Sequence, residues 1–181
     1  MAILTKAKII EEIAAGNIRI CPLRDEYLNI NSYDVTLSKT LKTYPKLRGL
    51  ILDPTKEVKL HEETIPEKGY VLEPGRLYLA QVNEEIWSDK YVFELSGKST
   101  LARLGITVHE TAAFSNLGHE FRYVLEITVV HPVIVYPNMP IAQIFVHSTI
   151  GEVDDSYNET GHYAKNQKIG DSIAAPTPMK L

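Results

Sequence analysis

At 181 residues and a net charge of −4, the chain is long enough to bury one core and lacks a general basic surface for nucleic acid, so any phosphate it binds must be met by local residues. Its single cysteine, Cys21, excludes an internal disulfide and the paired cysteines of a zinc-dependent nucleobase deaminase. The pairs His61-Glu62, His109-Glu110 and His119-Glu120 lack the second histidine of a metalloprotease helix. The apolar runs are too short to span a bilayer and no signal peptide precedes the first helix, which predicts a cytoplasmic protein.

The chain starts as a helix: Thr5 can cap it, Ile9, Ile10 and Ile13 make its apolar stripe, and Gly16 can end it. Beyond it the apolar period turns to two, and short β-rich runs are predicted over 17–20, 33–37, 70–72, 77–82, 91–95, 106–108, 122–130, 133–136 and 141–146. Pro74-Gly75 and Pro137-Asn138 mark two of the turns between them. Many short strands with one clear helix predict an all-β sandwich or barrel. After Ile150 the composition turns polar, and the chain is expected to divide into a β domain over 1–156 and a C-terminal segment over 157–181.

Gly97-Lys98-Ser99-Thr100 ends as a nucleotide-binding P-loop does, but that loop needs a glycine five residues before its second glycine. Val92 stands there, inside the strand-like run 91–95. Lys98, Ser99 and Thr100 instead offer a point charge, two hydroxyls and successive backbone amides, a set that suits a triphosphate but that without a neighbouring motif reads as an ordinary polar turn. In the run 122–130, alternation puts Tyr123, Leu125, Ile127 and Val129 on one face and Val124, Glu126 and Thr128 on the other. A carboxylate among Val and Thr is partly desolvated, which suits a group that takes a proton from water and returns it to a leaving amine. On residues alone, Glu126 reads first as a solvent-facing glutamate on a half-exposed strand, since such residues are common. Arg103 presents a planar donor fork that can orient a carboxylate or form a surface ion pair.

In their order along the chain these residues resemble a known signature. Gly97 to Arg103, then His109-Glu110-Thr111-Ala112, then Leu125-Glu126 are similar to the Gly-Arg/Lys-Ser-Ser/Thr-Leu-Ala-Arg run, the His-x-Thr-Ala turn and the Leu-Glu of the dCTP deaminase branch of the trimeric dUTPase-like family. Ser32-Tyr33-Asp34-Val35-Thr36-Leu37 resembles that family's Ser-x-Asp-x-x-Leu strand, and Ile134 to Asn138 with Ile141-Ala142-Gln143 resembles the strand pair after its catalytic glutamate.

The resemblance implies a homotrimer of distorted β-sandwich subunits with sites between subunits. It implies Glu126, Arg103 from a neighbouring subunit, and Ser99 as catalytic residues. Lys98, Ser99 and Thr100 would hold the triphosphate together with Mg2+ carried on the nucleotide, and His109, Thr111, Ala112, Asn116 and Gln143 would complete substrate binding. Tyr163, Lys165 and Gln167 would close over the nucleotide as a lid. No zinc or other protein-held metal is expected.

The activity implied is zinc-independent hydrolytic deamination of dCTP to dUTP and ammonia in pyrimidine deoxynucleotide supply, with onward hydrolysis to dUMP left open. The alternatives are a dUTP diphosphatase and a non-catalytic nucleotide-sensing trimer. Two departures from the family pattern bear on this. Glu110 stands where the family frequently has valine or glutamine, so inhibition by dTTP does not follow from the resemblance. Asn116 falls on the aspartate that in dUTPases activates the water attacking the α-phosphorus; an amide cannot accept that proton, so dUTP is the expected main product.

Overall fold

The computed structural model describes residues 2–45, 51–151, 176 and 178. In chain order they form helix α1 (Lys6–Ala14), β1 (Arg19–Cys21), a 3-10 turn (Asp25–Tyr27), β2 (Tyr33–Thr43), β3 (His61–Thr64), β4 (Tyr70–Leu72) and β5 (Tyr78–Val82). There follow β6 (Glu85–Trp87), β7 (Tyr91–Gly97), the short helix α2 (Ser99–Arg103), β8 (Ile106–Thr107), β9 (Val124–Val129), β10 (Val133–Val135) and β11 (Pro140–Ser148). One sheet runs β7-β11-β2-β5-β9-β8 with β3 also paired to β2, and two-stranded ribbons, β1–β6 and β4–β10, complete the β structure. The pairings are antiparallel throughout. This is the mainly β, barrel-like architecture that the short strands predict, and no helix among the described residues is long and apolar enough to cross a membrane.

The strands form where alternating residues can be buried together. Tyr33, Val35 and Leu37 of β2, Tyr78 and Ala80 of β5, Phe93 and Leu95 of β7, Leu125 and Ile127 of β9, and Ile144 and Val146 of β11 are all buried. β9 keeps the predicted alternation, with Leu125, Ile127 and Val129 inward and Val124, Glu126 and Thr128 half-exposed.

β2 differs in that Tyr33 to Leu37 are buried without alternation, so its polar positions require partners. Thr36 donates its N–H and its hydroxyl to Glu84 at 2.8 and 2.7 Å, and burial pushes the Glu84 carboxyl above its usual range despite those two bonds. Asp34, on the other polar position, accepts from Asn29 at 2.9 Å and pairs with Lys98.

Two strands escape sequence periodicity. β3 is the polar, largely exposed His-Glu-Glu-Thr, ordered by its ladder to β2 rather than by an apolar face. β6 is three residues long, too short for alternation to register. The segment Ser99–Arg103, for which no element is predicted, is helical, with Lys98 at its N-cap.

In α1, Thr5 takes the N-cap position but its side chain makes no capping bond. The predicted stripe is also rotated: Ile9 is buried, Ile10 is 46% exposed, and Glu12 takes the inward place at the i+3 position. Glu12 is tolerated there because it accepts from Asn17 at 2.7 Å and pairs with Lys8 at 2.8 Å and Lys90 at 3.2 Å. The Lys8 ammonium, then Asn17, holds its carboxyl down from 4.5 to about 2. A depressed carboxylate stabilises the fold fully above its unfolded value, and that contribution is lost as pH falls toward about 2. Glu12→Gln is therefore expected to lower the urea midpoint at neutral pH, and the gap to wild type should close as the solution is acidified between those two values. A gap that stays constant with pH would mean that Glu12 contributes through packing alone.

Candidate active site

Of the predicted site residues, Lys98, Ser99, Thr100, Gln143, Glu126, Thr111, Ala112 and Asn116 line two cavities. The first, of about 550 Å³, lies at the junction of β7 and α2 and includes Lys98, Ser99, Thr100, Asp34 and Gln143 in its lining. β11 runs beside β7 here, and Gln143 donates Nε2 to the Gly97 carbonyl at 2.9 Å while its Oε1 accepts from Ser32 at 3.0 Å. Gln143 thus fixes the strand end from which the Lys98-Ser99-Thr100 segment departs. Ala102 N–H donates to the Lys98 carbonyl at 2.9 Å, so the amides of Ser99 and Thr100 precede the first intrahelical donor of α2. Lys98 does not present an isolated positive charge: it pairs with Asp34, itself 8% exposed, and the cradle is closer to neutral than the sequence suggests. Val92, the residue that argues against a P-loop, lies inside β7 as expected.

The second cavity, of about 530 Å³, is lined in part by Glu126, Glu110, Thr111, Ala112, Asn116 and His119. Glu126 stands on β9 opposite Leu79 of β5, half-buried, with its own N–H donating to Val108 at 3.1 Å. One carboxylate oxygen, Oε2, accepts the Glu110 N–H at 3.0 Å. The side chain of Glu110 is drawn to the same strand, its Oε1 accepting from the Thr128 hydroxyl at 3.2 Å.

The segment carrying Asn116 is tied to the edge of β7. Leu95 N–H donates to Ala113 at 2.7 Å, Ser115 N–H to Phe93 at 2.8 Å, and Phe93 N–H to the Ser115 hydroxyl at 2.9 Å. Tyr123 adds a buried hydroxyl that donates to the Phe93 carbonyl at 2.9 Å, and its burial pushes the phenol well above its usual range. Asn116 is left exposed at the cavity. His119 stacks on Phe121 with ring centroids 5.1 Å apart, and burial lowers the imidazole below its usual range.

Not every predicted residue joins these groups. His109 is half-buried, its Nδ1 has no partner among the described residues, and it lines neither cavity. Arg103 is exposed at the end of α2, lines neither cavity, and forms no ion pair with Glu126 within the chain. Tyr163, Lys165 and Gln167, and nearly all of the expected lid and tail, lie outside the described residues. Sequence reasoning missed the partnership of Asp34 with Lys98 and the approach of Glu110 to Glu126. The first signal was present in the Ser-x-Asp pattern; the second depends on a fold that brings the turn after Val108 alongside β9. Among the described residues no group of three or more His, Cys, Asp or Glu is placed to hold a metal ion.

Comparison with known proteins places the chain in a family. A family model described as dCTP deaminase-like matches residues 3–149. A protein named "dCTP deaminase, dUMP-forming" from Clostridium beijerinckii is 40% identical over 176 residues, covering 94% of this chain and 95% of the relative. Relatives of the same name from Clostridium botulinum and Leptospira biflexa are 39% and 37% identical, again covering 94% of this chain and 95% of theirs. A crystal structure of 2'-deoxycytidine 5'-triphosphate deaminase from Agrobacterium tumefaciens shares the fold with a TM-score of 0.64 at 20% identity, over 88% of this chain and 53% of that longer one. With the model match spanning most of its length and relatives this similar end to end, the chain belongs to the dCTP deaminase-like family.

Proposed function

We propose that this chain is a hydrolase that removes the 4-amino group of dCTP without zinc and carries the product through dUTP to dUMP and diphosphate. The observation that carries this reading is the half-buried Glu126 carboxylate, with one oxygen tied to the Glu110 N–H and the other without a hydrogen bond to the described residues. The unbonded oxygen takes a proton from water as that water adds to C4, and returns it to the departing amine, which leaves as ammonia. Each of these relatives is named dUMP-forming, which supports dUMP as the end product in place of the dUTP expected from Asn116.

In this reading Lys98, Ser99 and Thr100 hold the triphosphate, while Thr111, Ala112, Asn116 and His109 position the sugar and base. The first cavity is lined by one carboxylate, Asp34, which Lys98 already pairs, and by the hydroxyls of Ser32, Ser99 and Thr100, so a magnesium ion there would be held mainly by phosphate oxygens and water. The working form is a homotrimer, for which the support is twofold. Arg103 makes no ion pair with Glu126 within one chain and does not line its cavity, and Leu104 and Val130 near it are 50% and 67% exposed, apolar surface of the kind an interface covers. A free nucleotide substrate and a single cysteine fit a cytoplasmic enzyme.

The direct test is to incubate the protein with dCTP and magnesium and to follow ammonia and resolved nucleotides. Ammonia with dUMP supports the whole reading; ammonia with dUTP alone removes the second step; no ammonia removes both. Activity is expected to survive exhaustive chelation of transition metals and to fall sharply when magnesium is withdrawn, because the triphosphate needs its counter-charge. A tightly bound zinc whose removal stops the reaction would overturn the mechanism.

A further inference from the structure

Hydrolysis of dUTP to dUMP needs a group to take the proton from the attacking water, and in the cavity that holds Glu126 the exposed amide of Asn116 is unable to do so. Two carboxylates line that cavity, Glu126 and Glu110. The other acidic groups nearest in the fold are engaged elsewhere. Glu120 pairs with Arg19, Asp34 with Lys98 in the first cavity, Glu94 with His147 at 2.7 Å, and Glu84 is buried against Thr36. His119 lines the cavity too, but it is buried against Phe121, and accepting a proton would create a charge there that burial disfavours.

Glu110 is built for a fixed position. Its N–H is spent on Glu126 Oε2 at 3.0 Å, and its own Oε1 accepts from Thr128 at 3.2 Å. The remaining oxygen, Oε2, carries no hydrogen bond among the described residues, and the side chain is exposed at the cavity. The two carboxylates are therefore held as a pair by one turn and one strand, each with one oxygen tied and one open.

Resting on the reading of the chain as dUMP-forming, we propose that the two carboxylates divide the two hydrolyses: Glu126 serves the attack at C4, and Glu110 takes the proton from the water that attacks the α-phosphorus of dUTP. In that step the water oxygen bonds to the α-phosphorus as the bond from that phosphorus to the bridging oxygen of the diphosphate breaks. The electron pair leaves with the diphosphate, and the water proton passes to the open oxygen of Glu110 and from there to solvent. Nothing is oxidised or reduced.

Glu110→Gln tests this with little disturbance, because the backbone N–H to Glu126 is untouched and the new amide oxygen still accepts from Thr128. Hydrolysis of added dUTP is expected to fall by about a hundred- to ten-thousand-fold, the usual worth of a general base, and by a larger factor than ammonia release from dCTP. Glu126→Gln should show the reverse ratio. Adding Asn116→Asp to Glu110→Gln should restore a substantial part of dUTP hydrolysis by returning a carboxylate to the same cavity. The proposal is overturned if Glu110→Gln hydrolyses dUTP within a few-fold of wild type, if Glu126→Gln removes both activities while Glu110→Gln removes neither, or if the double variant recovers nothing, since the loss would then be structural. Wild-type protein that stops at dUTP overturns it as well, and this outcome is visible before any variant is made, which separates failure of the dUMP-forming reading from failure of Glu110's role.

Discussion

Glu126→Gln is expected to lower ammonia release from dCTP by about a hundred- to ten-thousand-fold while leaving nucleotide binding largely intact. The amide conserves the shape of the side chain and can still accept the Glu110 N–H that now reaches Oε2 at 3.0 Å, so the turn over residues 109–112 keeps its anchor. What disappears is the proton acceptor. The flanking core does not change either, because Leu125 and Ile127 point to the buried face while position 126 points to the cavity. Single-turnover ammonia release measured beside dCTP binding separates the two effects. Deamination within a few-fold of wild type would remove Glu126 from its role, and loss of binding in proportion to rate would make it a binding residue.

The face on which Glu126 stands was legible because strand alternation is a strong local signal, while its proposed role came from the resemblance. Tyr123, Leu125, Ile127 and Val129 have to share a face, and Glu126 then has to share the other with Thr128. Local pattern also located α1, but not its rotation. Three isoleucines suggest a stripe, whereas a carboxylate with an amide and two ammonium groups around it can occupy the inward position, and Glu12 does. That compensation comes partly from Asn17 and Lys90 and is a tertiary fact. The same limit hid the charge balance of the Lys98-Ser99-Thr100 segment. Lys98 reads as a free charge until β2 is seen to be buried on both faces, which forces Asp34 to find a cation. Glu110, read only as a departure from a pattern, gained meaning when the sheet order placed β9 beside the turn that carries it.

Arg103→Ala and Glu126→Gln should each be inactive alone, yet a trimer assembled from equal amounts of the two should regain roughly a quarter of wild-type deamination if every site draws these residues from different subunits. The geometry that motivates this is local. Gly105 has φ +80°, and a Cβ there would lie 2.9 Å from Val130 Cβ, so the chain turns tightly after α2 and holds Arg103 and Leu104 at the surface beside the exposed end of β9. An arginine held outward in this way, with exposed Leu104 and Val130 near it, is placed to meet a neighbouring subunit in the proposed trimer. In a ring of three, a site is intact when one subunit keeps Arg103 and the next keeps Glu126, and random mixing satisfies both conditions at about one site in four. The assay requires the subunits to be dissociated and reassembled together, with separately reassembled parents as controls. Activity in the mixture well above both parents places the two residues in shared sites. A mixture as inactive as its parents, with mixed trimers demonstrated by mass, would mean that Arg103 does not act on the Glu126 of another chain, and the proposal of sites between subunits would lose its main support.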